Sequence, residues 1–144
     1  EVKSFRDCSE EQLLSIQDQF TPVVFKRVHF VVKEINRVIK ACEALDQGNI
    51  KLLGQLLFET HYGLSQEYEV SCEELDMLVH TAKADDAFIG ARVMGGGFGG
   101  CTINLVEKGH ENEVKRKFSK LYLDTFGIEL KFYDVKISNG TTLL

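Results

Sequence analysis

Proline is nearly absent from this chain: its 144 residues hold one, Pro22. Low-complexity tracts are missing too, and 44% of the residues are apolar or aromatic, so wholesale disorder is excluded. No apolar run reaches the roughly 18 residues that read as a membrane span. There is no excess of basic residues either. Lys and Arg number 17 against 22 Asp and Glu, a net charge of -5, unlike the basic face of most nucleic-acid binders. The expected partners are therefore small molecules or proteins, with no nucleic acid and no membrane. The four cysteines, at 8, 42, 72 and 101, form no Cys-x-x-Cys pair and have no histidine at zinc-finger spacing. No signal peptide is visible, although the chain opens on Glu1 rather than Met. The expectation is reduced, mostly buried thiols in a cytoplasmic protein.

What remains is enough apolar residue for one domain. Ser9-Glu10-Glu11-Gln12 reads as a capping box opening a helix near 10–19. From 23 to 46, Val24, Val28, Val31, Val32, Ile35, Val38, Ile39, Cys42 and Leu45 recur at three and four, one stripe of a long helix. A third helix runs from Ile50, with Leu53, Leu56, Leu57 and Leu64 on one side, and fades between Gly63 and Tyr68. Ser71-Cys72-Glu73-Glu74 reads as a second capping box before a fourth helix with Leu75, Leu78, Val79 and Ala82 inward. The pattern then changes. Residues 87–94 form a short apolar run and 101–106 alternate like a strand. Helical spacing returns over 113–126, with Gly127 as its stop, and Tyr133, Val135 and Ile137 mark a last strand. This order predicts an α+β fold, an antiparallel sheet covered by helices.

Between the first two strands stand Gly95, Gly96, Gly97, Phe98, Gly99 and Gly100. Glycine loses more backbone entropy on folding than any other residue, so such a run suits close approach of backbone to a ligand or to other backbone. Successive N–H groups in a turn of this kind can also cradle an anion. Gly95, Gly97 and Gly100 satisfy G-x-G-x-x-G, but the dinucleotide reading needs a helix directly afterwards, where this chain has a strand pattern. A P-loop needs lysine where Cys101 stands. A tightly packed glycine hairpin without a ligand stays open as a structural reading.

The wording around the glycines goes further. Gly90-Ala91-Arg92-Val93-Met94-Gly95-Gly96-Gly97-Phe98-Gly99-Gly100-Cys101-Thr102 resembles the third signature motif of the galactokinase family of GHMP kinases. Glu69-Val70-Ser71-Cys72-Glu73-Glu74-Leu75-Asp76, the stretch from His61 to Tyr68 with Leu64 and Ser65, and Lys26 to Arg37 are similar to the family in the same order, from about residue 5 to 137. The family commonly has methionine then threonine where this chain has Val93-Met94, and proline where Glu73 stands. No role is assigned to Met94.

The resemblance implies a GHMP kinase C-terminal domain of ferredoxin-like type over 1–144, lacking the N-terminal domain that carries the catalytic and most ATP-binding groups. It also implies ATP-dependent phosphorylation of galactose to galactose 1-phosphate, with ATP and magnesium held mainly by that other domain. On this expectation residues 95–100 support the nucleotide's phosphate loop and complete the cleft, with Arg92 as a further candidate, and this chain holds no catalytic residue and no metal. Its partners would be galactose, ATP and its own N-terminal domain; alone it would be inactive and would self-associate. The alternatives are another GHMP small-molecule kinase, or a non-catalytic α+β binding module. His61 beside Glu59 is expected on a helix surface, as are Asp76, Asp85 and Asp86 on surfaces and loops. His29, His80, His110, Ser65 and Ser71 are given no chemistry.

Overall fold

The structure is a computed structural model and describes residues 3–140. Five α-helices and two strands follow in order: α1 Glu10–Ser15, α2 Pro22–Asp46, α3 Ile50–Tyr62, α4 Glu73–Lys83, β1 Phe88–Met94, β2 Cys101–Val106 and α5 Glu111–Phe126. The α+β class and the antiparallel sheet therefore stand. The caps explain most of the boundaries. The Ser9 hydroxyl accepts from Gln12 N–H, and Gln12 reaches back to Ser9 N–H, so the first capping box forms. Thr21 caps α2 with proline in its first turn, and Asn49 caps α3. α5 stops at Gly127, which takes the left-handed conformation.

Among the described residues the sheet has two strands, with Val93 opposite Thr102 and Met94 opposite Cys101. The core lies between them and the helices: Leu78, Val79 and Ala82 of α4, Phe88 and Ala91 of β1, and Val114 and Phe118 of α5. The Phe88 and Phe118 rings meet at 4.9 Å. On the other side, α3 crosses β1 without side chains in between. A Cβ on Gly54 would stand 1.9 Å from the Ile89 carbonyl oxygen, and one on Gly90 would stand 2.5 Å from the Gly54 Cα. Two glycines facing each other thus let a helix axis approach a strand closely.

Several expectations are corrected. The last strand does not form: residues 128–140 have no regular structure, with Val135 80% and Ile137 105% exposed. Alternation makes a strand only where the segment pairs with a neighbouring strand, and among the described residues β1 and β2 pair only with each other. The second capping box does not form either. The N-cap of α4 is Cys72, one residue later than expected, and the Ser71 hydroxyl is buried without a hydrogen-bond partner. The thiols are free but not mostly buried, with Cys42 and Cys101 exposed. Of the α2 stripe, Val32 is buried with Phe30 and Ala44, while Val24, Val38, Ile39 and Leu45 are exposed. No helix among the described residues is long and apolar enough to cross a membrane.

Candidate functional site: the glycine loop and its two anchors

The 95–100 loop stands at the surface where β1 turns into β2. Gly95, Gly97, Phe98, Gly99 and Gly100 all have positive φ, from +57° at Phe98 to +123° at Gly99. Glycine takes this region freely, whereas Phe98 takes it against its preference. A Cβ placed on Gly95, Gly96, Gly99 or Gly100 would meet nothing within 4 Å, so the loop faces open space at these positions. The Phe98 ring is 77% exposed, and Met94 at the end of β1 is exposed as well.

Gly97 differs from its neighbours. A Cβ there would lie 2.0 Å from the Val70 carbonyl oxygen, and that same oxygen accepts the Phe98 N–H at 2.7 Å. The loop is thus pinned at its middle to the turn before α4. Glu69, at φ +61°, forms that turn. Its carboxylate holds Lys26 at 2.9 Å and Arg27 at 3.1 Å on α2, and these hydrogen bonds keep it below the ordinary carboxylate range. Among the described residues Phe98 N–H is the loop amide with a protein acceptor. The remaining loop amides are left for solvent or a ligand.

The second anchor lies at the start of the loop. His61, expected on a helix surface, is 2% exposed. Its Nδ1 accepts the Val93 N–H at 3.3 Å, and its Nε2 faces Asp76 Oδ1 at 3.1 Å, though off the line of a well-aligned hydrogen bond. Asp76 Oδ2 accepts the Ser65 hydroxyl at 2.8 Å. Burial pushes the His61 imidazole below its ordinary value, and the Asp76 charge opposes this. The expected neighbour Glu59 instead faces Arg37 on α2 at 3.4 Å. Ser65 sits in a single π-helical turn, Gly63–Glu67, that ends α3, and a Cβ on Gly63 would lie 2.4 Å from the Phe30 ring.

The other candidates are dispersed. Arg92 is half-buried and donates from Nη1 to the Val93 carbonyl at 3.1 Å, folding back along its own strand. Asp85 is ion-paired with Lys117, which holds its carboxyl low together with the Ala87 N–H. Two open grooves of about 250 and 290 Å³ lie between α2 and α3 and beside Asp85 and His110, and neither is lined by the glycine loop. Sequence reasoning missed His61, Asp76 and Val70 as the loop's supports. An isolated glycine inside a helical pattern, as at Gly54, was the available signal that α3 is buried against backbone.

Comparison with known proteins agrees with this geometry. The family model described as GHMP kinases C terminal matches residues 31–124. A galactokinase of Thermotoga neapolitana is 41% identical over 96% of this chain and 38% of its own length. The galactokinase of Bos taurus is 36% identical over 99% of this chain and 35% of its own. A crystal structure of Lactococcus lactis galactokinase complexed with galactose superposes with a TM-score of 0.87 at 33% identity, covering 92% of this chain and 34% of that one. The chain thus spans well under half the length of these relatives. With its α+β fold, its helix-covered hairpin and the anchored glycine loop between the strands, this chain belongs to the GHMP kinase C-terminal family.

Proposed function

We propose that this chain is the C-terminal domain of a galactokinase that transfers a phosphoryl group from ATP to galactose, giving galactose 1-phosphate in the cytoplasm. The observation that carries the reading is the glycine loop: open on one side, pinned on the other, with backbone amides unspent at its surface. Phosphoryl transfer depends on positioning and on stabilising charge at the transferring group. A bare backbone arch from this domain supports a phosphate-binding segment of an N-terminal domain, brings N–H dipoles near the phosphates and excludes water. Gly95, Gly96, Gly99 and Gly100 face that segment, Gly97 seats the arch on Val70, and Phe98 covers its side. Arg92 adds positive charge near the base of the arch.

This chain's own residues do not suit a magnesium site. Among the described residues no three His, Cys, Asp or Glu side chains gather, and Glu69, next to the loop's anchor, is engaged by Lys26 and Arg27. On this reading magnesium and most ATP contacts fall to an N-terminal domain, and the chain alone is inactive. The test is phosphoryl transfer by the full-length protein across a panel of hexoses, mevalonate and homoserine, with products identified by phosphorus NMR. Galactose 1-phosphate as the main product is expected. Preference for a non-sugar alcohol, or no transfer to any of them, refutes the reading.

A further inference from the structure

We propose that His61 is a positioning residue for the glycine loop, its buried imidazole fixing the point on β1 from which the loop departs. β1 is paired with β2 along one edge, and the Val93 N–H donates to the His61 ring, so it needs an acceptor outside the sheet. Val93 is 1% exposed, so water cannot serve, and an unmet buried donor is destabilising. The acceptor is Nδ1 of His61, 32 residues away on α3. An imidazole that accepts at Nδ1 carries its proton on Nε2, and Nε2 is the atom that faces Asp76. Asp76 is itself oriented by the Ser65 hydroxyl. Val93 on one side and the Asp76 carboxylate on the other, which acts on Nε2–H as a close charge rather than through an aligned hydrogen bond, therefore favour one tautomer and one ring orientation.

This support and the Val70 anchor come from one stretch, residues 61–76, and they hold the loop at two points, Val93 and Phe98. Residues 94–97 span the gap. At 2% exposure, the His61 ring touches no substrate. The inference rests on the proposed function in that the positioned loop serves a nucleotide; the positioning itself does not depend on it.

The test uses three variants of the full-length protein. Asparagine places its amide oxygen near Nδ1, so His61→Asn keeps the acceptor for Val93. Glutamine places its amide near Nε2, so His61→Gln keeps the contact with Asp76 and loses the acceptor. Loss of a hydrogen bond worth about 1.4 kcal/mol is tenfold. His61→Gln is therefore expected to speed amide exchange at Val93 and at Phe98, the two bonded anchors, about tenfold and to raise KM for ATP by a similar factor, with KM for galactose unchanged. His61→Asn is expected to lie within about threefold of wild type in both. If His61→Gln does not fold, Asp76→Asn, which keeps the side-chain volume, replaces it and is expected to speed the same amides.

Equal behaviour of the Asn and Gln variants overturns the proposal. So does faster exchange in α3 with 93–98 unchanged, or a parallel rise in both KM values. A wild-type protein that transfers nothing to galactose sinks the functional reading alone, because exchange at Val93 still tests the support.

Discussion

Gly97→Ala in the full-length protein separates the two roles that glycine plays in this loop. The new methyl would stand 2.0 Å from the Val70 carbonyl oxygen and 2.9 Å from the Val70 carbonyl carbon and Cβ, on a backbone with φ +82°. The left-handed conformation alone costs a residue with a Cβ about 1 kcal/mol. The clash is relieved either by moving the Val70 peptide or by lifting the loop, and both break the 2.7 Å Phe98 N–H···O bond, worth about 1 kcal/mol net. The sum of about 2 kcal/mol corresponds to roughly 30-fold faster exchange of the Phe98 amide. Gly96→Ala is the control. Its Cβ meets nothing within 4 Å, and its φ lies outside the left-handed region, so stability is expected to equal that of wild type or exceed it by up to about 1 kcal/mol. Any loss of turnover in Gly96→Ala then reports what the open side of the loop faces. Unchanged Phe98 exchange in Gly97→Ala, or equal destabilisation by the two variants, refutes the reasoning.

Three further outcomes are expected. Gly54→Ala drives a methyl to within 1.9 Å of the Ile89 carbonyl oxygen; the obstacle is backbone, so the loss is about 3 kcal/mol, the upper end for overpacking, and a melting temperature equal to wild type contradicts it. Burial keeps His61 below the ordinary imidazole value of about 6.5. As pH falls the unfolded chain binds the proton first, so stability is full above about pH 6.5 and falls below it until the folded ring also protonates. This dependence, by at most about 1.4 kcal/mol per pH unit, is shaped by Asp76 and His80, which face the ring from α4, and is reduced in His61→Asn; denaturant titrations over that range check it. The 144-residue chain alone is expected to self-associate, because Phe98, Tyr133, Val135 and Ile137 are left exposed; a monomer in sedimentation at high concentration contradicts this.

Local signals in the sequence were read well where local physics decides. The Ser9 capping box and the Gly127 stop each satisfy terminal backbone groups with nearby residues. The failures lie where a distant partner decides. Ser71 has the right neighbours for a cap, but Val70 is held by Phe98 and α4 begins one residue later. His61 lies on a helix with polar neighbours, yet that face of α3 is closed by β1 through the glycine pair at 54 and 90. Tyr133, Val135 and Ile137 alternate as a strand would, but alternation does not supply an edge to pair with. The glycine run was legible as a site of close approach. Which glycine approaches protein and which faces outward was not, because that depends on Val70, 27 residues upstream of Gly97.

That division bears on why the loop holds so much glycine. If backbone packing were the whole reason, Gly97 alone would need to lack a side chain, since it alone among the five glycines of the run would bring a Cβ against protein among the described residues. Positive φ accounts for Gly95, Gly99 and Gly100 as turn geometry. Neither reason covers Gly96, which has open space and an ordinary handedness. A glycine with no local need for one costs about 0.4–1 kcal/mol of stability against alanine through the unfolded chain. Its presence is accounted for when something outside this chain comes within reach of that Cα, which is what the phosphate-binding segment of the proposed function would do.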